Sequence, residues 1–206
     1  MRPKILTREE SKAITRRRLV EAALRLTSEG GRHLTTSRIA REAGVAQPTF
    51  YVHFRDLDDL LEAVAEVQLD GFRREFHKAR NRIDVAALAR GDSNEALREA
   101  FRLPLQTILA RPVQFRVYVQ ERAHGKTPLG RHCRQIGEEL RRDLIADLRA
   151  LERATGRGRS DLELTMLADG LIALTEALGL GCLDGRYTNV ERAVDVLVDF
   201  ARGVLV

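Results

Sequence analysis

The apolar residues of this chain recur at helical spacing along most of its length, and no segment alternates with the period of two that a half-buried strand requires. Leu19, Ala22, Ala23 and Leu26 follow one another at three and four residues, and Leu57, Leu60, Leu61 and Val64 do the same. A chain patterned in this way buries its apolar side by packing helix on helix, so the expected class is all-α.

Glycine, proline and capping residues divide the pattern. A first helix is expected over about 11–28, stopping at Gly30 and Gly31. Thr36 should cap a short helix over 37–43, which Gly44 ends. A third helix reaches Phe54, with Gln47 as its cap and Pro48 in its first turn, where a missing N–H is harmless. Asp56 and Asp59 form an imperfect capping box for a fourth helix, whose stripe continues through Val67 and Leu69. Gly91, Asp92 and Ser93 signal a turn before a helix that Pro104 should kink or bound. A short helix starts at Arg111–Pro112, a loop runs over 125–128, and a long amphipathic stretch covers 129–151. A glycine-rich link at 156–159 follows. Ser160 with Glu163, and Thr188 with Glu191, are capping boxes for helices over about 161–178 and 190–204.

Charge is distributed unevenly. Residues 1–55 hold 12 Lys/Arg against 5 Asp/Glu, whereas the remainder holds 23 against 25. A basic head (1–55) on a nearly neutral body (56–206) is the footprint of a polyanion-binding module attached to something else. No run approaches ~18 apolar residues, so no membrane-spanning helix is expected. The N-terminus lacks the apolar core of a signal peptide, which makes the cytoplasm the expected location. Cys133 and Cys182 make neither a disulfide framework nor a four-ligand zinc site. No nucleophile elbow, phosphate-binding glycine–lysine loop or paired-histidine metal motif occurs, so catalysis, a metal and a cofactor are not expected.

Residues 36–54 read as helix, glycine turn, helix. Ile39, Ala40, Ala43, Val45, Phe50 and Phe54 can form a small core with the first helix, and the small Ala40 and Ala43 allow a close crossing. This arrangement lets the second short helix project into a major groove. Gln47 and Thr49 suit base contacts: glutamine pairs bidentately with adenine, and threonine meets a thymine methyl or accepts a hydrogen bond. The competing reading has Gln47 as a cap and Thr49 on phosphate. Thr36, Ser37 and Arg38 at a helix N-terminus form a phosphate clamp, and from the run Arg16–Arg18 one or two side chains, Arg16 first, can reach the backbone. Lys4 and Arg8 can form an arm.

The run from Ile39 to Val45, followed by Thr49-Phe50-Tyr51-Val52-His53-Phe54, resembles the N-terminal DNA-binding domain of the TetR family of transcriptional regulators over about residues 11–62. Arg55-Asp56-Leu57-Asp58, where many members carry Pro-Ser-Lys-Glu, is similar to the branch that represses unsaturated fatty acid synthesis. Phe115-Arg116 to Glu121-Arg122 is more weakly so. Ala46 and Pro48 depart from common family residues, so base preference does not carry over.

The resemblance implies phosphate contacts from Tyr51 and His53, a ligand-responsive repressor, and a homodimer on a pseudo-palindromic operator. The last two helices would form the interface, through Ala173, Leu174, Ala177, Leu178 and Leu180 on one and Val194, Leu197, Val198 and Ala201 on the other. The bland alternative makes both of them core helices. Phe101, Leu105, Ile108, Leu109, Phe115, Tyr118 and Val119 can line an apolar effector cavity, with Arg122, His124, Arg131 and His132 as polar neighbours, or can simply be core. With the branch resemblance, this points to a long-chain acyl thioester as effector. The competing function is a basic, non-specific DNA-binding or nucleoid-associated protein, which would share the salt dependence but not the sequence preference.

Overall fold

In the computed structural model, which describes residues 7–29, 34–81, 94–123, 126–156 and 158–205, the described residues are helical with no strand. Lys4, Gly30 and Gly31, Gly91–Ser93, His124 and Gly125 lie outside them. The chain divides into two compact units. One comprises Met1–Asp70 with Arg116–Arg134, the other Gly71–Phe115 with Gln135–Val206. The unit holding the basic head thus continues past residue 55.

In the first unit, α1 (Arg8–Ser28) opens on a capping box. The Glu10 amide donates to Thr7 Oγ1 at 3.1 Å, and the Thr7 amide donates to Glu10 Oε2 at 2.8 Å. This cap starts α1 three residues before the expected position. Helix α2 (Thr36–Glu42) is capped by Thr35, whose hydroxyl accepts from the Arg38 amide, and not by Thr36. The chain leaves α2 through Gly44 at φ +66°, with Gly44 N–H donating to Arg41 O and Val45 N–H to Ala40 O. This paired closure needs a left-handed residue, which glycine supplies without a Cβ penalty. Helix α3 (Gln47–His53) has Ala46 at its cap position with no side-chain bond, so Gln47 is a helical residue and not the cap.

Helix α4 (Leu57–Val64) is capped by Asp56 Oδ1, which accepts from the Asp59 amide at 2.9 Å. A π-helical turn, Ala65–Leu69, follows. Its wider winding slips the register, so Leu69 is fully buried and Val67, expected in the stripe, is 61% exposed. Leu19, Ala22, Ala23 and Leu26 of α1 are buried with Ile39, Ala40, Ala43, Phe50 and Phe54, as the pattern predicts. Helix α1 packs on α2, α3 and α4.

The second unit contains α5 (Asp70–Arg80, from Gly71), α6 (Asn94–Ala110), most of α8 (Pro128–Thr155), α9 (Asp161–Leu183) and α10 (Val190–Leu205). The short α7 (Pro112–Glu121) and the start of α8 pass between the two sequence groupings. Helix α6 runs through Pro104 without ending. An internal proline costs about 3 kcal/mol, and Phe101, Leu105 and Ile108, buried on both sides of it, supply the offsetting packing. Gly179 of α9 lets that helix approach α6: a Cβ there would stand 2.9 Å from Ile108 Cδ1.

Ion pairs bind the helices of this unit laterally. Arg73 meets Glu139 at 3.1 Å and Arg80 meets Asp147 at 2.8 Å, and between these two pairs the His77 ring approaches Asp143 at 3.4 Å, a ladder at helical spacing between α5 and α8. Arg98 and Arg102 of α6 hold Glu191 and Asp195 of α10. Glu191 is therefore spent on arginines, and the expected Thr188–Glu191 box is replaced by Asn189, whose Oδ1 accepts from the amides of Glu191 and Arg192. The Ser160–Glu163 box forms as expected. Helix α9 is long and apolar enough to cross a membrane by length and composition (mean hydropathy 1.6), although only 28% of that window is buried. Run length alone missed it because isolated acids interrupt the run. The same composition suits a core or interface helix.

Candidate nucleic-acid interface

Phe50 and Phe54, 0% and 1% exposed, anchor α3 from beneath. Their rings stand 5.8 Å apart at a tilted angle, and each buried aromatic contributes roughly 1.5–3 kcal/mol. With that side fixed, Gln47, Pro48, Tyr51 and Val52 face outward and Thr49 and His53 are half-buried. Gln47 and Tyr51, four residues apart, converge on one hydroxyl. Gln47 Nε2 donates to Thr36 Oγ1 at 3.3 Å, and Tyr51 OH shares a hydrogen bond with the same atom at 3.2 Å. Thr36, expected as a phosphate clamp, thus ties the start of α2 to the outer face of α3. Ser37 is exposed and Arg38 half-buried beside it.

Val52 is the residue that sequence reasoning passed over. It is 64% exposed on a helix whose other face is packed, three residues from Thr49 and four from Pro48. An outward valine on such a helix can meet a thymine methyl. Its spacing was the available signal.

Arg16, expected at phosphate, is exposed beside the end of α3. Its Nη1 donates to the His53 carbonyl at 3.1 Å, and its guanidinium lies 4.2 Å from the Phe54 ring centroid. It closes the C-terminus of α3, where unsatisfied carbonyls and the negative helix end attract a cation. Burial, with Lys12 and Arg16 nearby, holds His53 below its ordinary value of 6.5, so its imidazole is a neutral hydrogen-bonding group and not a cation at neutral pH. Arg18 covers Gly44, where its Nη2 would be 2.8 Å from a Cβ.

The residues expected to line an effector cavity are divided between the two units. Phe101, Leu105, Ile108 and Phe115 are buried and Leu109 half-buried in the second, while Tyr118 is buried and Val119 and Arg122 half-buried in the first. Arg122 Nη1 donates to Tyr118 OH at 3.3 Å. An open pocket of about 300 Å³ lies elsewhere, lined by α5 and α6 residues including Glu75, Lys78, Leu103, Gln106, Thr107 and Arg111, and it takes none of those eight. The expected positions are packed side chains there, since the apolar stripe of α6 faces its own core.

The expected interface residues also separate. Ala173 and Ala177 are exposed and Leu174, Leu178 and Leu180 half-buried, whereas Val194, Leu197, Val198 and Ala201 are at most 4% exposed. Those four face α6 and α9 within the protomer, so α10 presents Val196 and Phe200 outward instead. Among the described residues no group of three or more His, Cys, Asp or Glu is arranged to hold a metal ion.

Residues 19–64 match the model of bacterial regulatory proteins of the tetR family. The whole chain is similar in fold to a TetR-like transcriptional regulator from Rhodococcus sp. RHA1 (TM-score 0.68, 19% identity, 97% of this chain and 98% of that one). It is also similar to a TetR-family transcriptional regulator from Streptomyces coelicolor (0.60, 25%, 94% and 95%). A third neighbour is the fatty acid degradation regulator FadR from Bacillus halodurans (0.59, 16%, 95% and 95%). An anchored, outward-facing second helix behind a glycine turn has the form of a helix-turn-helix DNA-binding head. More narrowly, the head matches the tetR family and the two-unit helical fold is that of TetR-like regulators.

Proposed function

We propose that this chain is a ligand-responsive repressor that binds a pseudo-palindromic operator as a homodimer, with one α3 in each of two major-groove segments about 34–36 Å apart or at a related spacing. The observation that carries the proposal is α3 itself: its inner face is locked by Phe50 and Phe54, and its outer face offers Gln47, Thr49 and Val52 to base edges. Ser37, Arg38, Tyr51 and His53 supply phosphate contacts, and Thr36 holds Gln47 and Tyr51 in register.

The dimer would form on the apolar outer faces of α9 and α10. Leu162, Met166, Val196 and Phe200 are 43–69% exposed there, and the exposed Ala173 and Ala177 continue the helical spacing of Leu162 and Met166 along α9. Apolar residues collected on two adjacent helices favour a covering partner, and a twofold protein suits a twofold site.

An effector acts only through differential affinity for the DNA-competent and incompetent states. A long-chain acyl thioester is the first class to test. The similarity of Arg55–Asp58 to the fatty-acid branch and the fatty-acid role in the name of the B. halodurans neighbour support it. The domain organisation we assign is a DNA-binding head over 1–55 and a ligand-binding and dimerisation body over 56–206.

The experiment is a gel shift of the full chain on its own upstream region against scrambled DNA. Regulation predicts a preference of a thousandfold or more, of the order usual for specific binders. Equal binding to both would favour the non-specific, nucleoid-associated reading that the basic head also permits. A thermal upshift with saturating acyl thioester is expected, and no shift would remove that effector class while leaving the DNA reading intact.

A further inference from the structure

Most arginines of α5 and α6 close on carboxylates, as Arg73, Arg80, Arg98 and Arg102 do. Two that lie close together do not. Arg74 on α5 and Arg111, between α6 and α7, have no acidic partner among the described residues. Both lean over Gly71: Arg74 Nη2 and Arg111 Nη1 are each 3.9 Å from the position a Cβ would take there, so they are separated by no more than twice that distance. Two like charges held this close repel, and an anion bound between them would relieve that repulsion.

Arg111 is also a wall of the open pocket of about 300 Å³, a volume at the lower end of the range for small-molecule sites. The remaining wall is mixed. Ala79, Leu103 and Ala110 give an apolar floor, and Gln106 is exposed, with an amide available to orient a ligand. The single acid in the lining, Glu75, is neutralised by Lys78 at 3.1 Å. The pocket therefore carries surplus positive charge at one rim and apolar surface behind it.

We propose that Arg74 and Arg111 clamp the oxyanion head of a compact organic acid, a carboxylate or phosphate monoester, whose short apolar body lies in the α5–α6 pocket over Leu103 and Ala79. Guanidinium groups suit this because their planar donors match two oxygens of such a head at once. The pocket is too small for a long acyl thioester, so this site is separate from the effector reading above, and it does not depend on DNA binding.

The test is calorimetric titration of the full chain at low ionic strength with hexanoate, hexyl phosphate and, as the uncharged control, hexan-1-ol. Saturable binding of at least one anion and none of the alcohol is expected, and the tighter anion identifies the head group. R111Q and R74Q should each weaken that binding tenfold or more while their circular dichroism and melting remain those of the parent. E75Q, which releases Lys78, should tighten it. No saturable heat with either anion, equal binding of the alcohol, or both arginine variants within twofold of the parent would overturn the proposal. Operator binding is measured separately, so failure here leaves the DNA reading untouched, and failure there leaves this site untouched.

Discussion

Arg16 offers the sharpest test of how the head is built, because a basic residue facing DNA and a basic residue locking a helix end predict different measurements. The proposed perturbation is R16M, which keeps the aliphatic stem and removes the guanidinium. Two interactions are lost: the bond to the His53 carbonyl at 3.1 Å and the stack 4.2 Å from the Phe54 centroid. The first is worth about 0.5–1.5 kcal/mol net and the second about 0.5–1 kcal/mol at an exposed site. Since Arg16 is exposed, the expected destabilisation is about 1–2 kcal/mol, read by urea unfolding at fixed protomer concentration. Apparent DNA affinity falls only by the fraction of heads that remain competent, so binding should drop by no more than a few-fold. The slope of log K against log salt should be unchanged, because no phosphate contact is removed. R38A, by contrast, should lower that slope by about 1.8, one phosphate contact being lost from each protomer of the dimer, with little change in stability. Removing Arg16 also removes a cation beside His53, so the imidazole titration followed by NMR should move upward. A slope reduced by about two units, one contact per protomer, with unaltered unfolding would show that Arg16 leaves α3 for phosphate, and the locking argument would fail.

Three further outcomes follow from the packing and charge. G179A should destabilise the body despite alanine's helix preference of about 1 kcal/mol, because its Cβ would meet the buried Ile108 at 2.9 and 3.1 Å; urea melts of G179A, I108V and the double variant should show the pair less destabilised than the sum of the singles, since valine removes the nearest atom. His53 has a folded value below 6.5, so the stability it contributes is present above that value and is lost as pH falls through the folded one; melting of the head should decline on acidification, and H53Q should flatten that decline. Phe200 and Met166 are 43% and 65% exposed, so F200E with M166E should leave the protomer folded while sedimentation shows monomers; a dimer that survives both changes would move the interface elsewhere.

The helices were readable because their signals are local. A capping box needs only residues three apart, and the Ser160–Glu163 box forms as expected. The turn at Gly44 needs only one residue that tolerates φ +66°. The failures came where a distant partner competes for the same group. Glu191 fits a capping box on spacing, but Arg98 and Arg102, some ninety residues earlier, take it, and Asn189 caps the helix instead. Thr35 and Thr36 are indistinguishable as caps by type. The one that caps is the one left over once Thr36 bonds Gln47 and Tyr51. The π turn at Ala65–Leu69 has no composition signature, and it alone turns Val67 outward.

The same distinction explains the functional surfaces. Hydrophobic spacing identifies an apolar stripe but not which of two apolar stripes a helix gives to its own core. On α10, Val194, Leu197, Val198 and Ala201 lie at three- and four-residue steps and so do Val196 and Phe200, and only contact with α6 and α9 decides that the first set turns inward. What remains outside is smaller and more interrupted than the buried stripe, which is why it was overlooked, yet it is the set a partner can reach. On α3 the logic runs the other way. Phe50 and Phe54 are so strongly apolar that their side of a seven-residue helix must be the inner one, and every residue not on that side is then committed to solvent or DNA. A short helix with one unambiguous face exposes its reading surface by exclusion, whereas a long helix with two apolar faces does not. The outward face of α3 was therefore legible in the sequence, and the choice between the two apolar stripes of α10 was not.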